Sequence, residues 1–85
     1  MDKIKKQIWA FHSLRNGIYD NDYCFYEDGT ILHHYDRTMT KLDVEEFVFP
    51  SDIPDYEKEK IITKCKGECS NYVVEQIKKI LRTNK

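Results

Sequence analysis

Eighty-five residues with a formal net charge of −1 make room for one small domain and exclude the strongly basic composition of a dedicated nucleic-acid binder. An aromatic content of 13% argues against a disordered chain, and no run approaches the roughly 18 consecutive apolar residues of a membrane-spanning helix. The three cysteines, Cys24, Cys65 and Cys69, are an odd and sparse set, unlike the crowded even frameworks of small secreted domains. Reduced thiols and a cytoplasmic location are expected, with the chain neither exported nor membrane-embedded.

The near-neutral total conceals a segregation. Residues 1–15 carry four basic side chains against one acidic, residues 16–53 two against nine, and residues 54–85 eight against five. Such an asymmetry bears on partners rather than on fold.

In chain order, residues 4–14 fit a helix through Ile4, Ile8 and Phe11, yet Ile8-Trp-Ala-Phe-His12 reads better as an aromatic strand, placed at residues 6–13. Asn16-Gly17 ends it, and the polar run Tyr19–Asn21 extends the turn. Asp22–Asp36 is the most informative stretch, because two aromatic-rich runs flank Asp28-Gly29, a strong hairpin signal. If those two residues fill the turn alone, Glu27 faces Thr30, Phe25 faces Leu32 and Tyr23 faces His34. Tyr26–Ile31, Cys24–His33 and Asp22–Tyr35 then share the other side, and a longer turn or a bulge shifts every pair by one.

A fourth strand follows over Asp43–Phe49, with Val44, Glu46 and Val48 on one face and Glu45, Phe47 and Phe49 on the other; Pro50 stops it. Pro54 suits the first position of a helix over about residues 54–65 that buries Ile53, Tyr56 or the neighbours of Glu57, Ile61 and Cys65 and ends at a left-handed Gly67. Ser70 caps a second helix, about residues 70–82, with the stripe Val73 or Val74, Ile77, Ile80 and Leu81. The order predicts one α+β domain spanning residues 1–85, with the sheet at about 6–49. Its architecture is an antiparallel meander of three or four strands followed by two C-terminal α-helices packed on one sheet face, leaving the other face partly bare.

Four ligand-type side chains, Cys24, His33, Cys65 and Cys69, are weak candidates for a zinc site, since Cys24 faces His33 across the two-residue-turn hairpin. Cys65-x3-Cys69 is looser than a Cys-x2-Cys knuckle, so no metal or other cofactor is assigned; packed thiols are the simpler reading. His33-His34-x-Asp36 superficially resembles a hydrolase or metal signature. Adjacent strand residues point to opposite faces, however, so only His34 and Asp36 share one, and no catalytic residue is assigned. A non-enzymatic interaction module follows, in which Tyr23, Tyr26, Tyr35, Asp22 and Asp36 belong to an acidic, tyrosine-rich sheet surface that binds a basic protein partner. The alternatives are a nucleic-acid-associated regulator using Lys78, Lys79, Arg82 and Lys85 of the last helix, a zinc-stabilised domain, and self-association through the strand at 43–49.

Overall fold

Two hairpins that share one strand build the sheet. The computed structural model describes residues 6–82, and these fall into two compact units that meet at Phe47 and Val48. The first contains β1 (Gln7–Phe11), β2 (Leu14–Arg15), β3 (Tyr19–Tyr26), β4 (Ile31–Tyr35) and most of β5 (Val44–Val48). The sheet order is β1-β3-β4-β5, with β2 also pairing to β3; β1–β3, β2–β3 and β3–β4 are antiparallel. The α+β class with two C-terminal helices is therefore as the sequence predicts, with five strands in place of three or four.

The extra strand, Leu14–Arg15, lies past the predicted first strand at 6–13, across a break at His12-Ser13, and pairs with β3 on its own. Ser13 donates its hydroxyl to the Asn21 carbonyl at 2.7 Å and its N–H to Asp22 Oδ1 at 3.3 Å, so side-chain bonds flank the backbone bond from Asn21 N–H to the Ser13 carbonyl at 3.0 Å. The following turn is tighter than predicted. Asn16 and Gly17 take positive φ of 56° and 76°, as a type I′ turn requires, and Tyr19–Asn21 already belongs to β3. Strand β1 is itself irregular, with a register shift between Gln7 and Trp9 that leaves Ile8 bulged.

The β3–β4 turn departs from the two-residue reading, and the reason is the backbone of Asp28. A type I′ turn needs positive φ at both central residues, but only Gly29 adopts it, at 90°. Gly29 N–H instead closes a turn onto the Tyr26 carbonyl at 2.9 Å, while Tyr26 N–H donates to the Thr30 carbonyl at 3.1 Å. The loop is thus three residues, a type I turn finished by a left-handed glycine, and Asp28 Oδ1 secures it by accepting from Thr30 N–H and Oγ1–H at 3.0 and 2.7 Å. Every pair moves by one: Phe25 faces Ile31, Cys24 faces Leu32, Tyr23 faces His33 and Asp22 faces His34.

This register collects the aromatic side chains on one face. Trp9 stacks on Phe25 at 6.1 Å, Phe11 meets Tyr23 at 6.5 Å, and His33 lies between Tyr23 and Tyr35 with ring centroids 4.4 Å from each. Phe11, Tyr23, Phe25, Ile31 and Tyr35 are buried, Phe25 and Ile31 completely. Burying such side chains stabilises a fold by about 1.5–3 kcal/mol each, so this face supplies much of the first unit's driving force.

The second unit begins with a 3-10 turn at Pro50–Asp52, where Asp52 Oδ2 accepts from Phe49 N–H at 2.8 Å. Helix α1 (Asp55–Glu68) starts one residue later than predicted, because Pro54 is extended and its carbonyl receives the N–H groups of Glu57 and Lys58. It also runs through Gly67 rather than stopping there. An extended Cys69 whose N–H still reaches the Cys65 carbonyl at 2.9 Å ends the helix, and no left-handed glycine is needed. Ser70 caps α2 (Asn71–Leu81) by accepting from Val73 N–H at 3.4 Å. The two helices pack together, with Ile61, Cys65, Val74, Ile77, Ile80 and Leu81 buried.

Because Gly29 has open space around it but φ of 90°, Gly29→Ala adds only backbone strain. Urea denaturation should show a loss of about 1–2 kcal/mol. An unchanged midpoint would mean the turn has another geometry.

Candidate binding face

Strand alternation and the shifted register define the face opposite the aromatic one. It takes Ala10 from β1, Asp22, Cys24 and Tyr26 from β3, and Leu32 and His34 from β4, with Ala10, Cys24 and Leu32 directly adjacent across the three strands. In β5, Glu46 lies toward the aromatic face, where its carboxylate accepts from the Tyr35 hydroxyl at 3.4 Å. Glu45 and Phe47 therefore project to the opposite side. Tyr26, Cys24 and Leu32 are half-buried, and Phe47 is 61% exposed.

Carboxylates border this apolar strip. Asp22 sits between two imidazoles, 3.4 Å from His12 Nδ1 and 3.5 Å from His34 Nδ1, and the other nitrogen of His34 lies 3.2 Å from Asp43 Oδ1. Burial disfavours the His34 imidazolium, but the hydrogen bonds and charges of Asp22 and Asp43 outweigh it and hold the pKa above its ordinary value. The Asp22–His34 pairing is visible only in the three-residue-loop register.

Behind the array stands Asp36, buried where β4 gives way to the connector leading to β5. Its Oδ1 accepts from Asp43 N–H at 3.0 Å and its Oδ2 from Asp20 N–H at 3.1 Å, so one carboxylate ties the connector's far end to the start of β3. The Arg15 guanidinium clamps the same corner from outside, donating to the Asp36 and Arg37 carbonyls at 2.7 and 3.0 Å. The backbone bonds from Asp43 and Asp20 hold the Asp36 carboxyl below the usual range against the opposing effect of burial. Asp43 has φ of 55°, unusual for a residue with a side chain, and this conformation aims its carboxylate at His34.

The five side chains predicted to face a partner are thus divided. Tyr26 and Asp22 lie on the outer face. Tyr23 and Tyr35 are core rings at 5% and 9% exposure, and Asp36 is an internal cap. The four metal candidates do not converge. Cys24 projects opposite to His33, whose Nε2 pairs with Asn21 Oδ1 at 2.7 Å, and no metal-holding group of three His, Cys, Asp or Glu occurs among the described residues. Two of the thiols, Cys24 and Cys65, are shifted toward the protonated form. Burial, then Asp22 and Glu45, push Cys24 up, and burial with the neighbouring Cys69 pushes Cys65 up to about 12. On α2, Lys78, Lys79 and Arg82 line a shallow depression that also contains Glu75, 3.6 Å from Lys78 Nζ, while Lys85 lies outside the described residues.

Four exposed apolar side chains were not singled out by the sequence: Leu14 and Ile18 flank the β2–β3 turn, and Met39 and Leu42 lie in the 36–43 connector. Single apolar residues in turns carry no periodic signal. Comparison with protein-family models, with curated proteins and with solved structures finds no match for this chain.

Asp36→Ala should lower the thermal midpoint more than Glu59→Ala on exposed α1, because it strands the N–H groups of Asp20 and Asp43. A carboxyl with a lowered folded pKa contributes stability that is present above its unfolded value of about 3.9 and is lost as pH falls through the folded value. Asp36→Asn should therefore flatten the acid limb of the stability profile, read by denaturation at successive pH values. In native protein, iodoacetamide should leave Cys65 unlabelled while it modifies Cys69, as peptide mass mapping can check; fast labelling of Cys65 would contradict its burial.

Proposed function

We propose that this chain is a non-enzymatic interaction module whose outer sheet face holds a basic protein partner. The observation that carries the reading is the exposed Phe47 on the same sheet face as half-buried Tyr26 and Leu32, with Glu45, Asp22 and Asp43 among them. Aromatic anchors among carboxylates suit a segment that offers apolar groups between lysines or arginines, with the charges steering approach and the rings supplying contact area. The aromatic face is not available for this role, because its rings stack on one another and are largely buried. Three free thiols fit a reducing compartment such as the cytoplasm.

A nucleic-acid reading would rest on Lys78, Lys79 and Arg82. It has less support, because Glu75 sits in the same depression and pairs with one of the cations. Catalysis draws no support from the His12–Asp22–His34–Asp43 array, whose four members include no hydroxyl or thiol nucleophile.

The test is affinity capture from source-cell lysate with the intact chain as bait, followed by cross-linking to locate the contact. The reading expects cross-links to a lysine- or arginine-rich segment, release by raised salt, and loss of capture in Glu45→Lys and Phe47→Ser with thermal midpoints nearly unchanged. Capture that survives both substitutions would overturn it.

A further inference from the structure

The geometry around His34 points to a device that the partner reading does not require. Both ring nitrogens face carboxylates, Nδ1 toward Asp22 at 3.5 Å and Nε2 toward Asp43 at 3.2 Å. A neutral imidazole has one N–H and one lone pair, so it can satisfy only one of these carboxylates and turns a lone pair toward the other; the imidazolium donates to both. The arrangement is therefore matched to the charged ring. Asp22 belongs to β3, whereas Asp43 ends the 36–43 connector, so the ring spans two separate parts of the chain.

We propose that His34 is a proton-operated latch: its imidazolium fastens the 36–43 connector to β3 through Asp43 and Asp22, and loss of the proton frees the Asp43 carboxylate. The charged and titratable groups around the ring are Asp22 on β3, Asp43 at the end of the connector and Asp36 at its start, with Glu45 of the neighbouring β5 and Cys24 of β3 on the same face. His12 shares Asp22 from the β1–β2 junction, and Arg15 acts on Asp36 from β2. Asp43 is the movable arm because its side chain is 78% exposed, while Asp22 is also held by the Ser13 N–H. With the latch open, the connector keeps the Asp36 bond to the Asp43 N–H and the Arg37–Lys41 backbone bonds, so it loosens at one end without unfolding.

The sign follows from the two states. Pairing that favours the imidazolium raises the folded pKa, so its stabilisation is complete below the unfolded value of about 6.5 and disappears as pH rises through the higher folded value. The latch is closed on the acid side and open on the alkaline side. Release adds an uncompensated carboxylate to the outer face, and only the consequence that a basic partner then binds more tightly rests on the reading above.

The experiment is an NMR titration of the free chain between about pH 5 and 9, following the His34 ring and the backbone amides of residues 37–43 in wild type and in Asp43→Asn. The proposal expects a His34 midpoint above about 6.5. Asp43→Asn should lower it by about half a unit or more, a threefold or larger loss of proton affinity. Connector amides should move with the same midpoint in wild type and lose that response in the variant. A midpoint at the ordinary value, one that Asp43→Asn leaves in place, or a connector that ignores His34 would each overturn the latch. The wild-type amide response needs no substitution, and because no partner is present, the result is independent of whether the binding reading holds.

Discussion

The Asp36 carboxylate is the constraint on which the organisation of the sheet's open end depends. Two backbone N–H groups, from the exposed residues Asp20 and Asp43, converge on this one buried side chain. The bond to Asp43 holds a left-handed backbone whose side chain then meets His34. By contrast, the Lys6–Glu27 pair at 3.9 Å is exposed at both ends and contributes little, roughly 0–1 kcal/mol.

The two faces of the sheet perform different physical tasks. One is a continuous set of stacked rings in which even His33 acts as a flat aromatic body, with one nitrogen taken by Asn21. The other carries a thin apolar strip and a string of alternating carboxylates and imidazoles. Adjacent histidines thus have opposite surroundings: His33 packs between rings and His34 sits between carboxylates. The division follows directly from the two-residue period of a strand.

Much of the fold was legible in the sequence because its signals are local. The aromatic runs about Asp28-Gly29 marked the hairpin, Pro50 marked the end of β5, and the stripe Val74, Ile77, Ile80 and Leu81 with Ser70 ahead of it marked α2. The pairing was not legible, because one residue of loop length decides it and Asp-Gly fits both a two-residue turn and the end of a three-residue one. That single step also moved the candidate site. It brought His34 opposite Asp22 and sent Cys24 and His33 to opposite faces, removing the geometric basis for pairing them on a metal. Tyr23, Tyr35 and Asp36 read as surface groups because each has a polar atom, but the rings pack as hydrophobes and the carboxylate caps backbone. Gly67 looked like a helix terminator, yet an extended Cys69 ends α1 without it.

Strand β3 is common to both hairpins, and each of their loops is three residues long. Closing such short loops costs little chain entropy, so a nucleus containing β3 can form by zipping outward from either turn. Strand β5 lies beyond the eight-residue connector at 36–43 and must find β4 across a longer excursion. Loop length thus favours the pairing of β2, β3 and β4, and leaves the edge that carries Glu45 and Phe47 with the costlier closure.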